Sequence, residues 1–299
     1  MHLGNVRSAL LGWLWARSSR GTFLIRMEDL DRQRCRPEFA SLILRDLEWL
    51  GLDWDEVPLY QSERTALYDA ELERLRAAGL LFECFCSRQE IARAASAPHG
   101  PLDEGSVYPG TCASLSDAER THRRALRTPA IRFRPRAGTV CIDDLLQGRF
   151  CQDVRSDVGD FVIRRNDGVA SYQLAVVVDD HASRITHVLR GDDLLASTPR
   201  QRLLYEALGY EPLPAYAHVP LVLGTDGKRL AKREGAFTVA ELREAGVPPE
   251  RVLGLLAAWS GLGEGPVSAA ELVARFRLED LPRAPIVTSE AQIRSALGV

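Results

Sequence analysis

Lysine is almost absent from this chain. The sequence holds 38 Lys plus Arg in 299 residues, and the lysines among them are Lys228 and Lys232 alone. Both fall in one stretch, TDGKRLAKREGA (225–236). Either two surface lysines landed together, or the site needs a compact ammonium, which suits a migrating phosphate charge better than a planar guanidinium does. Long apolar runs are missing as well. None reaches the roughly 18 residues that suggest a membrane-spanning helix. The N-terminus, MHLGNVRSAL, lacks the basic, apolar and cleavage-site order of a secretory signal. The expectation is a soluble cytoplasmic protein with no membrane partner. Net charge is small, at -3, so the whole chain does not advertise a polyanionic partner. Cysteines number six, and in a cytoplasmic chain disulfides are not expected. Metal ligation or burial as small hydrophobes are the readings left.

What is present points to an α/β protein. With 45% hydrophobic residues the chain can bury one large or two modest cores. GTFLIRMED (21–29) reads as a buried parallel strand with functional residues at its C-terminal end. Pro37 then opens a helix with Phe39, Leu42, Ile43, Leu47 and Leu50 on one face and Gly51 as the stop. Tyr68, Leu72 and Leu75 mark another, closed by Gly79. Residues 84–118 are rich in Cys, Ser, Ala, Pro and Gly and read as a small insertion. AIRF (130–133) and TVCIDDLLQGRF (139–150) read as short strands around turns, and 159–168 holds another strand. ASYQLAVVVDDH (170–181) is helix or strand; periodicity does not decide. A strand in 185–195, a capped helix over 197–209, a strand in 216–224 and a helical C-terminal region follow.

Two local patterns carry candidate chemistry. In HLGN, His2 and Asn5 share a helical face, and Gly4 leaves room for a planar group beside a phosphate-favouring helix N-terminus. From Arg120 to Arg136, RTHRRALRTPAIRFRPR carries seven arginines and no acid. That stretch is either a solvated basic face or a contact for a nucleic-acid backbone.

HLGN near the start and KRLAKR far downstream resemble the paired signatures of the class I aminoacyl-tRNA synthetases, whose patterns read HIGH and KMSKS. LIRMEDLDRQR, GLDWDE, YQSER, DDLLQG, ASYQLAVVVDDH and VLRGDDLLASTPRQ resemble the glutamyl branch, in order, across most of residues 2–236. Only 63 residues follow Ala236 (299 minus 236). That is too few for an anticodon-reading region, so the chain resembles the short group that glutamylates queuosine in tRNA(Asp).

The resemblance implies a Rossmann-type parallel sheet with an inserted zinc-containing module and a helical C-terminal region. The expected division is 1–82 and 159–224 for the two catalytic halves, 83–158 for the insertion, and 225–299 for the lysine loop and helices. It implies ATP with Mg²⁺, L-glutamate and queuosine-bearing tRNA(Asp) as partners of a monomer. His2 and Lys232 are the implied catalytic residues, with Gly4 and Asn5 beside ATP and Lys228 a weaker helper. Glu28, Tyr172 and Arg190 are implied for glutamate, against the plainer readings of an Arg26–Glu28 pair, a core tyrosine and an Arg190 pair with Asp192 or Asp193. Cys84, Cys86, Tyr108 and Cys112 match the implied zinc ligands, and three thiolates with a phenolate complete a tetrahedral shell. His99 is a candidate substitute for one of these ligands. Cys35, Cys141 and Cys151 are left as packing residues. His181 follows two aspartates that are within reach as partners, and neither it nor His187 is read as catalytic. Two departures stand out: Met1 directly precedes His2, where the family has a first strand and turn, and Ala231 replaces a serine.

Overall fold

A computed structural model of the protein describes residues 1–31, 35–87, 89–91, 107–230 and 237–299. The first helix, α1 (Leu3–Ser18), buries Leu3, Val6, Leu10 and Leu14, which recur at the three-to-four spacing of one helical face. That face closes the larger core with Leu47, Leu50 and Leu52, with Ala217 and Val219, and with apolar residues of the C-terminal region from Val239 to Leu297. The C-terminal region is helical, as its pattern predicts: α7 (Val239–Glu244), α8 (Pro249–Trp259), α9 (Ala269–Arg275) and α10 (Glu290–Leu297). Capping boxes start α7, α9 and α10, where Thr238, Ser268 and Ser289 each accept the N–H three residues on.

The parallel strands do not form one continuous sheet among the described residues. β1 (Arg26–Met27) pairs in parallel with β2 (Leu59–Tyr60), and β8 (His187–Gly191) with β9 (Ala215–Val219), as separate pairs. A third pair, β10 (Val222–Leu223) with β11 (Ile286–Val287), ties the tail to the strand end before the lysine loop. The run 21–29, read as one strand, narrows to Arg26–Met27, although Leu59 N–H still donates to Ile25 O at 2.9 Å.

Helix α2 (Pro37–Trp49) begins at its predicted proline, but its apolar stripe is only half covered. Leu47 and Leu50 are 2% exposed, whereas Phe39 is 51% and Leu42 38% exposed. Helix α3 (Thr65–Ala77) buries Tyr68, Leu72 and Leu75 as predicted. The ambiguous segment is helix α5 (Tyr172–Ala182), with every residue from Gln173 to Asp180 buried. Burial on all sides erases the polar face that periodicity needs, so the sequence pattern was silent there. A second core joins α3, α5 and α6 (Thr198–Leu208) to strands of the insertion.

Between them, β3 (Leu81–Cys84), β4 (Ala130–Phe133) and β7 (Phe161–Arg164) form an antiparallel sheet, preceded on β4 by α4 (Asp117–Leu126). β5 (Thr139–Asp144) and β6 (Gly148–Asp153) make a hairpin whose register sets Cys141 opposite Cys151. These two cysteines form a disulfide, which corrects the expectation of unbonded packing residues. Ten residues apart around a turn, they meet only because the hairpin register aligns them, with Cα atoms 4.1 Å apart.

The halves are stitched together by Asp179, which is wholly buried on α5. Its carboxylate accepts from Arg64 Nε at 2.6 Å, Gln61 Nε2 at 2.8 Å and the Tyr68 hydroxyl at 2.8 Å.

Candidate active site

Helix α1 runs antiparallel to β8. Near its C-terminal end Trp15 meets His187, the first residue of β8, edge-on with ring centroids 4.8 Å apart. Near its N-terminal end Arg7 Nη1 donates to Pro220 O at 2.7 Å, just past the end of β9. The N–H groups that open α1 therefore lie at the C-terminal ends of β8 and β9, where open α/β sheets place their ligands. His2 is the N-cap of this helix, and its Nδ1 is buried without a hydrogen-bond partner. A Cβ added at Gly4 would meet nothing within 4 Å, so the backbone is open to a ligand there. Asn5 is exposed on the same turn. Lys232 and Ala231 lie outside the described residues. The chain returns at Phe237, and Thr238 forms an antiparallel bridge with His2. Val239 N–H also donates to Met1 O at 2.8 Å. Before the loop, Lys228 is 83% exposed and reaches Asp226 at 3.4 Å.

Arg190, next to last on β8, is the best-organised cation at these strand ends. Its Nη1 donates to the Tyr172 hydroxyl at 3.2 Å, and Nη2 donates to Thr198 Oγ1 at 2.9 Å and Gln201 Oε1 at 2.7 Å. Its Nε donates to His218 Nε2 at 3.0 Å. The expected alternative, a pair with Asp192 or Asp193, is not formed: Asp193 binds Arg229 at 2.6 Å. All four acceptors are uncharged groups, so the guanidinium charge is oriented without being neutralised. One Nη1 proton remains for a ligand by donor count. Tyr172 and Arg190, far apart in sequence, are thus brought together. Burial raises the Tyr172 phenol above its ordinary value, against the pull of Arg190, and Glu28 adds to the rise. Glu28 therefore belongs to the same electrostatic neighbourhood. It also takes the plainer role, with Arg26 Nη2 at 3.4 Å. Arg26 in turn holds Asp180 at 2.5 Å.

Four residues around Arg190 escaped the sequence reading: Thr198, Gln201, His218 and Asp144. Thr198 and Gln201 were legible as a helical i, i+3 pair inside the quoted VLRGDDLLASTPRQ. His218 sits alone in an apolar strand, which is a signal only once its partner is known. That partner, Asp144, lies 2.6 Å from His218 Nδ1, and both side chains are 0% exposed.

The thiol cluster forms the third core. Sγ atoms of Cys84, Cys86 and Cys112 lie within 4.8 Å of one another. Cys86 Sγ is 3.5 Å from Cys112 Sγ and 3.7 Å from the Tyr108 hydroxyl. Tyr108 is therefore gathered with the three thiols, although 21 residues separate it from Cys86. Burial pushes the Cys86 thiol up to about 11, so a cation held there would have to displace its proton. The donor set fits a tetrahedral Zn²⁺ shell in kind and number. His99 lies outside the described residues.

The arginine stretch is largely consumed by this module. Arg124 pairs with Glu83 at 2.9 Å and Arg127 with Glu90 at 3.1 Å. Arg134 pairs with Asp160 at 3.7 Å, and Arg132 lies over the Tyr108 ring, 3.9 Å from its centroid. Arg136 stays exposed. His181 does not pair with its aspartates; it stacks on Tyr210 at 3.7 Å. No helix among the described residues is long and apolar enough to cross a membrane.

Known proteins resemble this chain along most of its length. A glutamyl-Q tRNA(Asp) synthetase of Symbiobacterium thermophilum is 52% identical, across 96% of this chain and 91% of its own. A glutamate–tRNA ligase of Geobacter sulfurreducens is 44% identical, across 93% of this chain and 59% of its own. The crystal structure of a glutamate-tRNA synthetase from Elizabethkingia anophelis superposes with a TM-score of 0.84 at 29% identity, covering 99% of this chain and 67% of that one. The model of the class I tRNA synthetases (E and Q), catalytic domain, matches residues 1–283. The chain belongs to that family of ligases.

Proposed function

We propose that the protein activates L-glutamate with ATP and transfers the glutamyl group to queuosine in the anticodon loop of tRNA(Asp). The observation that carries this reading is identity: the chain is 52% identical to a glutamyl-Q tRNA(Asp) synthetase and 44% identical to a glutamate–tRNA ligase. Arg190 and the Tyr172 hydroxyl would hold the side-chain carboxylate, with Glu28 facing the α-ammonium. An α-carboxylate oxygen attacks the α-phosphorus of ATP. The new P–O bond forms as the bridging bond to the β-phosphate breaks, and pyrophosphate leaves with its Mg²⁺. His2, the N–H groups beside Gly4 and Asn5, and Lys232 would stabilise the charge that builds on the phosphates. A nucleophile on the modified base then attacks the acyl carbon, and AMP leaves.

Cys84, Cys86, Cys112 and Tyr108 would hold one structural Zn²⁺, which clamps the end of β3 to residues 108–112. The second reading, a short glutamyl-tRNA synthetase charging tRNA(Glu), is favoured by the Geobacter ligase match. Glutamate-dependent ATP–pyrophosphate exchange without tRNA, followed by transfer of labelled glutamate, separates these readings. Label in queuosine-bearing tRNA(Asp) and none in the queuosine-free form is expected. Exchange only with tRNA(Glu) present would favour the second reading, and no exchange under any condition would leave a non-catalytic tRNA-binding protein. Either role is at home in the cytoplasm.

A further inference from the structure

We propose that the buried pair Asp144–His218 is a positioning device that sets the orientation of Arg190 and hence the preference for an acidic side chain. This rests on the reading of Arg190 as the glutamate side-chain ligand and extends it to residues with no assigned role.

The pair comes from two different parts of the fold. Asp144 ends β5 in the hairpin, and His218 lies on β9 beside β8. One oxygen of Asp144, Oδ1, accepts three backbone N–H groups: Leu146 at 3.0 Å, Gln147 at 2.8 Å and His218 at 3.2 Å. Gln147 Nε2 returns a bond to His218 O at 2.8 Å, and Leu145 N–H donates to Tyr216 O at 2.8 Å. The hairpin turn is thereby locked to β9, which leaves Oδ2 at 2.6 Å from His218 Nδ1.

That contact fixes the tautomer. A carboxylate accepts only, so Nδ1 carries the proton and Nε2 presents its lone pair. The lone pair faces Arg190 Nε at 3.0 Å, with Thr198 Oγ1 at 3.3 Å. With Nε so held, the guanidinium plane is fixed by three more acceptors, Tyr172, Thr198 and Gln201. The Nη1 edge is then the one left toward a ligand. The neutral state of the imidazole is consistent with its burial, which holds its pKa below the ordinary value despite the aid of Asp144. Were Nε2 protonated, two donors would face each other and the fork would turn.

The test uses the whole chain and glutamate-dependent pyrophosphate exchange. His218→Phe removes the acceptor, and the near-isosteric Asp144→Asn donates to Nδ1 and so forces the opposite tautomer. Both should raise the glutamate KM about 10- to 100-fold, with the ATP KM and kcat within about threefold. His218→Gln, whose amide oxygen reaches the Nε2 position, should recover most of that loss. Arg190→Gln is the control on the parent reading. If it leaves the glutamate KM unchanged, that reading fails; if it raises the KM while Asp144→Asn does not, only the positioning role fails. Imidazole ¹⁵N shifts, assigned with His218→Gln among the six histidines, give an answer independent of activity. A protonated Nδ1 and bare Nε2 at neutral pH are expected, and a protonated Nε2 overturns the proposal.

Discussion

Nη1 of Arg190 donates to the hydroxyl of Tyr172 at 3.2 Å, joining the end of a parallel strand to the first residue of helix α5. Removing that hydroxyl leaves the guanidinium one acceptor short and takes one contact from a bound carboxylate. Tyr172→Phe should therefore raise the glutamate KM by about 5- to 50-fold, roughly 1–2.5 kcal/mol of binding. The ATP KM should stay put, because the proposed function places the nucleotide at the N-terminus of α1 rather than at this pair. Initial-rate pyrophosphate exchange with each substrate varied in turn measures both. An equal rise in the two KM values would argue against a substrate-carboxylate role for this pair.

Asp179, itself fully buried, gathers Gln61, Tyr68 and the partly exposed Arg64. Asp179→Ala leaves the Arg64 charge and two polar groups without their acceptor. A loss of about 3–5 kcal/mol of stability is expected, the range for breaking a buried pair from one side. Urea unfolding followed by circular dichroism reads it, and a loss below about 1 kcal/mol would mean that water or another side chain takes over.

The thiol cluster predicts one zinc per chain. Metal analysis of purified protein should give that ratio, and Cys112→Ser should lower it sharply. Cys35→Ser should leave it unchanged, since Cys35 donates to Glu28 O and is not one of the clustered thiols. Chelation should lower the melting temperature of the wild type and leave that of Cys112→Ser nearly unmoved. Zinc-free protein with wild-type stability would remove the structural role.

Stability should depend on the protonation of His218. Burial holds its folded pKa below the ordinary 6.5, so the unfolded chain binds the proton more readily. The stabilisation is complete above about 6.5 and is lost as pH falls from there through the folded pKa. For Asp144, burial works upward, but the bonds from His218 and the backbone N–H groups outweigh it and hold the carboxyl below its ordinary 3.8. Its contribution is likewise present above that value and lost at lower pH. His218→Gln should flatten the curve of unfolding free energy as pH falls below about 6.5. An unchanged slope there would mean that other groups govern it.

Gly254 in α8 packs directly on the loop before α9. A Cβ there would lie 2.2 Å from Gly265 O and 2.8 Å from its carbonyl carbon. Backbone does not move aside as a flexible side-chain end does, so Gly254→Ala should destabilise the chain by about 1–3 kcal/mol despite alanine's better helix propensity. Differential scanning calorimetry would register a lower melting temperature; a rise would show that the loop yields.

Much of this protein is set by local pattern. The stripe of Tyr68, Leu72 and Leu75, the proline starts of α2 and α6, and the glycine stop at Gly209 are short-range preferences that act wherever the chain is placed. The alternating strands of the insertion were readable for the same reason. Motif order singles out Tyr172 and Arg190, and Cys84, Cys86, Tyr108 and Cys112, and the fold brings each group together. What the sequence left open depended on contacts between distant residues. The helical state of α5 was hidden because burial on every side removes its polar face. Half of α2's apolar stripe is exposed because no element among the described residues covers Phe39 and Leu42. The disulfide required a register that sets Cys141 opposite Cys151. The arginines of 120–136 found acidic partners from β3, from Glu90 and from Asp160, which no composition count reveals. Above all, Asp144 and His218 stand 74 residues apart, and each alone reads as an ordinary polar residue. A hydrogen bond is decided within a few ångströms, and only the packing of the hairpin against β9 brings that carboxylate to that imidazole.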